Sequence, residues 1–146
     1  MSVVDLREVA LPFCDADECY RDPNVVRVRE LIEEAASVTF STPVYNFEVG
    51  GATRNLVAVC GNTWKEKVVG FLCAAGGRNS YMSVMGLANS MMLDFRCLVV
   101  PRFVYATRQA FHDGKLVDDG VQERVGELAG ELDRLSTALN GAAARR

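Results

Sequence analysis

One stretch near the middle of the chain limits the possible folds more than any other. Residues 68–73 read Val-Val-Gly-Phe-Leu-Cys, a run without a charged or strongly polar side chain. Side chains of a strand point alternately to the two faces of a sheet, so a strand is apolar throughout only where both faces are covered. The run therefore predicts a central strand of a parallel sheet with helices packed on both sides.

Segments of strand character and helix character alternate along the chain. We predict strands over residues 2–6, 37–41, 67–74 and 96–100. We predict helices over residues 23–36, 52–61, 80–93 and 119–139. Asp22 is suited to cap the first helix, and Pro23 suits its first turn. Because such alternation is typical of α/β proteins, we expect a single domain over residues 1–146 whose ligand crevice lies beyond the carboxyl ends of the strands.

The last predicted helix carries apolar residues at alternating steps of four and three, namely Val121, Val125, Leu128, Leu132, Leu135 and Leu139. This spacing fits the seam of a coiled coil as well as an amphipathic helix that packs on a sheet. The repeat is shorter than about three heptads, which favours packing on the sheet.

The charges argue against large charged partners. Sixteen basic and nineteen acidic residues give a formal net charge of −3. This balance is too mild and too well mixed to indicate binding to nucleic acid or to a membrane surface. The residues after Met1 lack the charged start and apolar core of a signal peptide, and no apolar run approaches about 18 residues. We therefore expect a cytoplasmic protein.

Five cysteines form an odd set without a Cys-x-x-Cys pair. Cys60, Cys73 and Cys97 fall in apolar stretches, which favours buried, reduced thiols over a metal or redox role. We predict no metal site. Cys14 and Cys19 lie in an acidic loop and are the only pair that we would test for redox behaviour.

Two loops stand out because each leaves the carboxyl end of a predicted strand, and the two should share one rim of the sheet. The first is Thr42-Pro43-Val44-Tyr45-Asn46-Phe47, and the second is Ala75-Gly76-Gly77-Arg78-Asn79. Together they offer backbone N–H groups next to glycines, two aromatic rings, an amide and a guanidinium. This set suits a planar, anionic ligand with polar edges. Either loop alone is a weak indication, since a Gly-Gly pair after a strand is more often a simple turn.

A family resemblance covers nearly the whole chain. Residues 42–46 followed by Gly50-Gly51-Ala52-Thr53-Arg54-Asn55 resemble the "T-P-E-Y-N … P-G-x-x-K-N" segment of the NADPH-dependent FMN reductase family. Residues 68–78 resemble the fourth strand of that family and its "G-G-R" loop. The resemblance implies a flavodoxin-like three-layer sandwich in which Thr42 to Phe47 and Ala75 to Arg78 contact FMN.

Two departures from the family pattern stand out. Val44 replaces the usual glutamate, which removes a charge near the flavin. The family's first strand, its "G-S-x-R-x-x-S" phosphate loop and its first helix would all lie before Met1. From this resemblance we expect the 146-residue chain, expressed as written, to be poorly soluble or nearly free of FMN.

The resemblance also implies hydride transfer from NAD(P)H to the flavin N5 atom and onward to a small acceptor such as free flavin, a quinone, an azo compound or a metal oxyanion. The cofactor performs this chemistry, so no catalytic acid or base side chain is required. Accordingly, the single histidine, His112, is interpreted as an exposed loop residue. By analogy with the family we expect a homodimer.

Two alternative functions remain open. One is a flavodoxin-like electron carrier, although the net charge of −3 provides little steering toward a protein partner. The other is a remnant of the fold that no longer binds FMN. Tyr81 and the nearby methionines Met82, Met85, Met91 and Met92 resemble a cofactor-binding segment, but packing in the core or in a dimer is favoured.

Overall fold

A computed structural model describes residues 1–143, and its elements follow the predicted alternation. The described helices are α1 (Pro23–Glu34), α2 (Gly51–Cys60), α3 (Met85–Phe95) and α4 (Asp119–Ala143). The described strands are β1 (Ser37–Tyr45), β2 (Glu48–Val49), β3 (Val68–Ala75), β4 (Leu98–Val99), β5 (Val104–Thr107), β6 (Phe111–His112) and β7 (Lys115–Leu116). Short 3-10 turns occupy Glu18–Arg21, Gly61–Trp64, Tyr81–Val84 and Arg108–Ala110.

The predicted apolar run forms β3, which lies at the centre of the sheet. β1 runs parallel to one side of β3 as far as the pair Pro43–Ala74. β4 and β5 run parallel to the other side, as far as the pair Ala75–Thr107. β2 turns back and pairs antiparallel with the end of β1. The carboxyl ends of β1, β3 and β5 therefore lie at the same end of the sheet.

Helices cover both faces of the sheet. α1, α2 and α3 contribute to the larger core, which includes Phe40 and Phe71. α4 lies on the opposite face, where Leu128 and Leu132 pack against Val68 and other residues of the sheet. The spacing of apolar residues in α4 thus serves packing on the sheet, as favoured above. The start of α1 is also as predicted, since the Asp22 side chain accepts hydrogen bonds from the first backbone N–H groups of the helix.

The strand predicted over residues 2–6 is wrong. The Asp5 carboxylate accepts a hydrogen bond from the Arg7 backbone N–H at 2.9 Å, and the Asp5 carbonyl accepts bonds from the N–H groups of Glu8 and Val9. Such side-chain and turn hydrogen bonds compete with an extended backbone. The chain turns at Asp5, and Val4 packs against the larger core without belonging to a strand.

The segments predicted over residues 80–93 and 96–100 also differ from the structure. The strand predicted over residues 96–100 is shorter, as β4, and the chain leaves the edge of β3 at Pro101 and Arg102 before it rejoins that edge as β5. Arg102 has a φ of +62°, so the interruption is a turn of the backbone. The helix predicted over residues 80–93 begins with a 3-10 turn, and its α-helical part is α3. Within residues 1–143, no helix is both long and apolar enough to cross a bilayer.

Candidate functional site

The first candidate segment is largely strand, whereas a loop was predicted. β1 continues through Tyr45, which pairs with Glu48 across a two-residue turn. Both turn residues, Asn46 and Phe47, have positive φ angles of 51° and 62°. This geometry is typical of tight hairpins, and asparagine adopts it readily. A bulky residue such as Phe47 rarely does, and strained backbone of this kind is frequent at functional sites.

Buried hydrogen bonds fix this hairpin to the start of α2. The hydroxyl groups of Thr42 and Thr53 are 2.8 Å apart and buried. The Gly50 N–H donates to the Pro43 carbonyl at 3.0 Å. Thr42 therefore anchors the hairpin from the inside and does not present its side chain to solvent. An ion pair of 2.8 Å between Glu48 and Arg54 ties the hairpin to α2 on its outer side.

The exposed residues of the hairpin are those that a ligand could reach. Tyr45 is 64% exposed and Phe47 is 55% exposed, and Pro43 and Asn46 are exposed as well. Val44 points inward and is buried. The hairpin therefore presents two aromatic rings to solvent at the carboxyl end of the sheet.

The second candidate segment follows β3 and is held by a tyrosine that sequence reasoning missed. Ala75 is the last residue of β3, and Gly76, Gly77 and Arg78 are exposed beyond it. The hydroxyl of Tyr105 in β5 donates a hydrogen bond of 2.7 Å to the Gly77 carbonyl. No sequence signal pointed to Tyr105, because its strand was not predicted.

An aromatic cluster backs this loop where the chain enters the 3-10 turn before α3. The ring of Tyr81 stacks on Phe103 with centroids 4.8 Å apart. The rings of Tyr81 and Tyr105 also pack edge to face, with centroids 5.5 Å apart. Aromatic pairs at these distances favour fixed relative positions. The glycine loop is therefore held at Gly77 and again at Tyr81.

The structure brings the two segments to one end of the sheet. Pro43 pairs with Ala74, so the hairpin and the glycine loop leave neighbouring strands side by side. β2 also contacts the 3-10 turn that follows the glycine loop. A β-carbon placed on Gly86 in α3 would lie 3.1 Å from the Arg54 guanidinium, so the Glu48–Arg54 pair lies against the start of α3. We call this surface, formed by residues 43–47 and 75–79, the carboxyl rim.

The exposed residues of the carboxyl rim face solvent, and two depressions lie toward the other end of the sheet. Two depressions of about 340 and 270 Å³ both include Lys65, which precedes β3. They therefore lie toward the amino end of β3, and neither includes a residue of the carboxyl rim. In parallel α/β sheets ligands bind beyond the carboxyl ends of the strands. The rim therefore presents exposed rings and glycine backbone at the end of the sheet where ligands bind.

Two further groups singled out in the sequence fall outside the rim residues. His112 lies in β6 with a side chain that is 79% exposed, and its Nε2 atom is 3.5 Å from the Asp113 carboxylate. Met91 is fully buried in the core, whereas Met82, Met85 and Met92 are exposed. The methionines therefore do not act as one buried cluster.

Comparisons with known proteins agree with the family and the fold expected from the sequence. The family model described as NADPH-dependent FMN reductase matches residues 1–112. The NAD(P)H-dependent FAD/FMN reductase of Geobacillus thermodenitrificans is 28% identical over 142 residues, which cover 95% of this chain and 77% of that protein. The NADPH:quinone oxidoreductase of Arabidopsis thaliana is 28% identical over 127 residues, which cover 82% of this chain and 65% of that protein.

A solved structure shares the fold. It is the flavoenzyme NAD(P)H:(acceptor) oxidoreductase FerB of Paracoccus denitrificans, which superposes with a TM-score of 0.64 over 88% of this chain and 74% of that one, at 21% identity. The chain thus has the flavodoxin-like α/β fold expected from its sequence. Since the family model spans most of the sequence, the chain belongs to the NADPH-dependent FMN reductase family.

Proposed function

We propose that this chain binds FMN at the carboxyl rim and uses NAD(P)H to reduce a small-molecule acceptor. One observation carries the proposal: the Tyr45–Phe47 hairpin and the Gly76–Arg78 loop meet at the same end of the sheet in a member of a flavin reductase family. A parallel sheet of this kind offers its ligand site at that end.

The residues of the rim fit a flat, anionic cofactor. Tyr45 and Phe47 offer exposed ring faces for stacking. Apart from the adjoining residues of the chain, no described heavy atom lies within 4 Å of the positions that β-carbons on Gly76 and Gly77 would occupy, so a ring can approach the backbone closely. Arg78 adds an exposed cation beside them. We propose Thr42, Val44 and Ala75 as supporting residues that shape this surface.

The chain contributes binding and orientation. FMN, when bound, supplies the capacity to accept a hydride and to pass electrons on. The Tyr105 hydrogen bond and the Thr42–Thr53 pair hold the two segments in place. Fixed positions of this kind lower the entropic cost of bringing two reactants together. No side chain of the rim is required to donate or accept a proton.

We further propose a quinone or a free flavin as the acceptor and a homodimer as the working form, in the cytoplasm where NAD(P)H is available. The acceptor proposal is supported by the names of the two relatives described above. The dimer proposal is supported by the exposed methionines Met82, Met85 and Met92, which recur at helical spacing along the 3-10 turn and α3.

The test is a titration of the purified chain with FMN, followed by flavin fluorescence, and then a measurement of NADPH oxidation with a quinone or flavin acceptor. We expect saturable binding and NADPH oxidation that requires FMN, the chain and the acceptor together. Binding without reduction by NADPH would favour the electron carrier. An absence of saturable binding would favour the fold remnant and overturn the proposal.

A further inference from the structure

Two cysteines, Cys14 and Cys19, lie in the loop before α1, and neither belongs to the carboxyl rim. Cys14 is exposed, and Cys19 in the 3-10 turn Glu18–Arg21 is only 3% exposed. Both are free thiols. An accessible thiol beside a shielded one is the arrangement that thiol–disulfide exchange requires, because one sulfur is open to attack and the other resolves the product.

The Asp15 carboxylate folds the loop so that the two cysteines approach. It accepts hydrogen bonds from the backbone N–H groups of Asp17 at 3.0 Å and Cys19 at 3.1 Å. Ala16, between them, has a φ of +64°, which turns the backbone sharply. The Cys19 backbone N–H is thereby hydrogen-bonded to Asp15, the residue that follows Cys14.

Side-chain contacts continue this approach. The Tyr20 hydroxyl lies 3.8 Å from the Cys14 sulfur. The residue after Cys19 thus reaches the Cys14 side chain, and the Cys19 backbone is bonded to the residue after Cys14, which places the two cysteines on the same turn of the loop. The pKa of the Cys19 thiol is raised, chiefly by its removal from water.

A hydrogen-bonded anchor fixes the exposed thiol. The Cys14 backbone N–H donates to the Asn55 side-chain oxygen at 3.0 Å, and the Asn55 amide donates to the Pro12 carbonyl at 2.8 Å. Because Asn55 belongs to α2, the loop is held against a helix. Cys14 is therefore presented from a fixed position beside its neighbour, which favours an intramolecular reaction.

We propose that Cys14 and Cys19 form a reversible intramolecular disulfide by exchange with a small disulfide such as oxidised glutathione. The Cys14 thiolate attacks one sulfur of the small disulfide, a mixed disulfide forms, and one glutathione thiolate leaves. Cys19 then loses its proton, its sulfur attacks the Cys14 sulfur, and the second glutathione thiolate leaves. Two protein thiols are oxidised, one glutathione disulfide is reduced to two thiols, and the protons released are taken up by the departing thiolates.

The remaining three cysteines serve as internal controls. Burial raises the pKa of Cys60 to about 12 and those of Cys73 and Cys97 to about 11. Thiols of this kind are protonated at neutral pH and react slowly. We expect all three to stay reduced under conditions that oxidise the Cys14–Cys19 pair. The oxidised form would be transient in a reducing cytoplasm, as such pairs are when they sense redox state.

The experiment exposes the full chain to oxidised glutathione, stops exchange by alkylation and maps the peptides by mass spectrometry. The expected product of the wild type is a linked pair at Cys14 and Cys19 that has lost two hydrogens, and dithiothreitol should reverse it. In Cys14→Ser we expect the chain to remain unmodified. In Cys19→Ser we expect glutathione to stay attached to Cys14.

The wild-type peptide map decides the proposal even if Cys19→Ser fails to fold. Stable glutathione on wild-type Cys14, a disulfide between two copies through Cys14, or no reaction at all would each overturn it. FMN is absent from every step, so the result is independent of the proposed flavin site.

Discussion

The hydroxyl of Tyr105 lies 2.7 Å from the carbonyl oxygen of Gly77 and donates a hydrogen bond to it. Tyr105 belongs to β5, where it pairs with Cys73 of β3. The bond therefore spans from one strand to the loop that follows its neighbour. A glycine-rich loop has many accessible conformations, and this bond restricts them at the rim.

We predict that Tyr105→Phe weakens FMN binding and leaves the fold intact. The net value of one such hydrogen bond is about 0.5–1.5 kcal/mol, which corresponds to a loss of roughly 2- to 12-fold in affinity. Titration of wild type and variant with FMN measures the loss. Tyr20→Phe makes the same chemical change in the loop before α1 and should bind FMN like the wild type. Equal affinity in all three proteins would mean that the hydrogen bond from Tyr105 to Gly77 does not contribute to FMN binding.

Tyr45→Ala tests the exposed ring of the hairpin. Removal of a stacked aromatic contact costs about 1–3 kcal/mol, so we expect FMN affinity to fall roughly 5- to 150-fold. Leu139→Ala is a matched control, because Leu139 is exposed and borders the depression near Lys67, toward the amino end of β3. If both variants bind FMN equally well, Tyr45 is a surface residue without a part in binding.

The fold was predictable where a sequence pattern is compatible with only one position in the structure. The apolar run of β3 can be buried on both faces only at the centre of a sheet. The segment over residues 2–6 has strand propensity, but the hydrogen bonds of Asp5 turn the backbone instead. Pro101 predicts the end of a strand, whereas the chain returns to the same edge of β3 as β5. A return of this kind depends on a tertiary neighbour, which local sequence does not reveal.

The candidate site was predictable only in outline. The two segments could be named from the sequence, because both follow strands whose carboxyl ends must meet in a parallel sheet. That Thr42 is buried against Thr53 while Tyr45 is exposed depends on the alternation along β1, and β1 was expected to end at Ser41. The hydrogen bond from Tyr105 to Gly77 joins residues 28 positions apart, and no spacing rule predicts such a contact.

The Asp15 carboxylate gives the loop before α1 a sensitivity to acid. Backbone hydrogen bonds from Asp17 and Cys19 lower its pKa from 3.8 to about 2. A carboxylate whose pKa is lower in the folded chain than in the unfolded chain stabilises the folded state at pH values above its unfolded-state pKa. This contribution is lost as the pH falls through the folded-state pKa. We therefore expect the loop to loosen progressively between about pH 4 and pH 2.

NMR shifts of the Asp17 and Cys19 amides measure this transition. In Asp15→Asn the side-chain oxygen still accepts hydrogen bonds but does not titrate, so the transition assigned to Asp15 should vanish from both amides. An amide titration that persists unchanged in Asp15→Asn would assign the effect to another carboxyl group.

Gly70 allows α4 to lie close to the sheet. A β-carbon at this position of β3 would lie 3.0 Å from a Leu128 methyl carbon and 3.2 Å from a Leu132 methyl carbon. Both leucines are buried, with exposures of 4% and 6%, so they have little room to move.

Forcing an extra methyl group into a packed core costs about 1–3 kcal/mol. We predict that Gly70→Ala lowers the free energy of unfolding by that amount. Gly130→Ala supplies the matched control. Gly130 lies in α4, and apart from the neighbouring backbone of the helix no described heavy atom lies within 4 Å of its β-carbon position. Alanine in a helix is favoured over glycine by about 0.5–1 kcal/mol. Urea unfolding should thus move the midpoint down in the first variant and up in the second. An unchanged or raised midpoint for Gly70→Ala would mean that α4 can shift away from β3 at little cost.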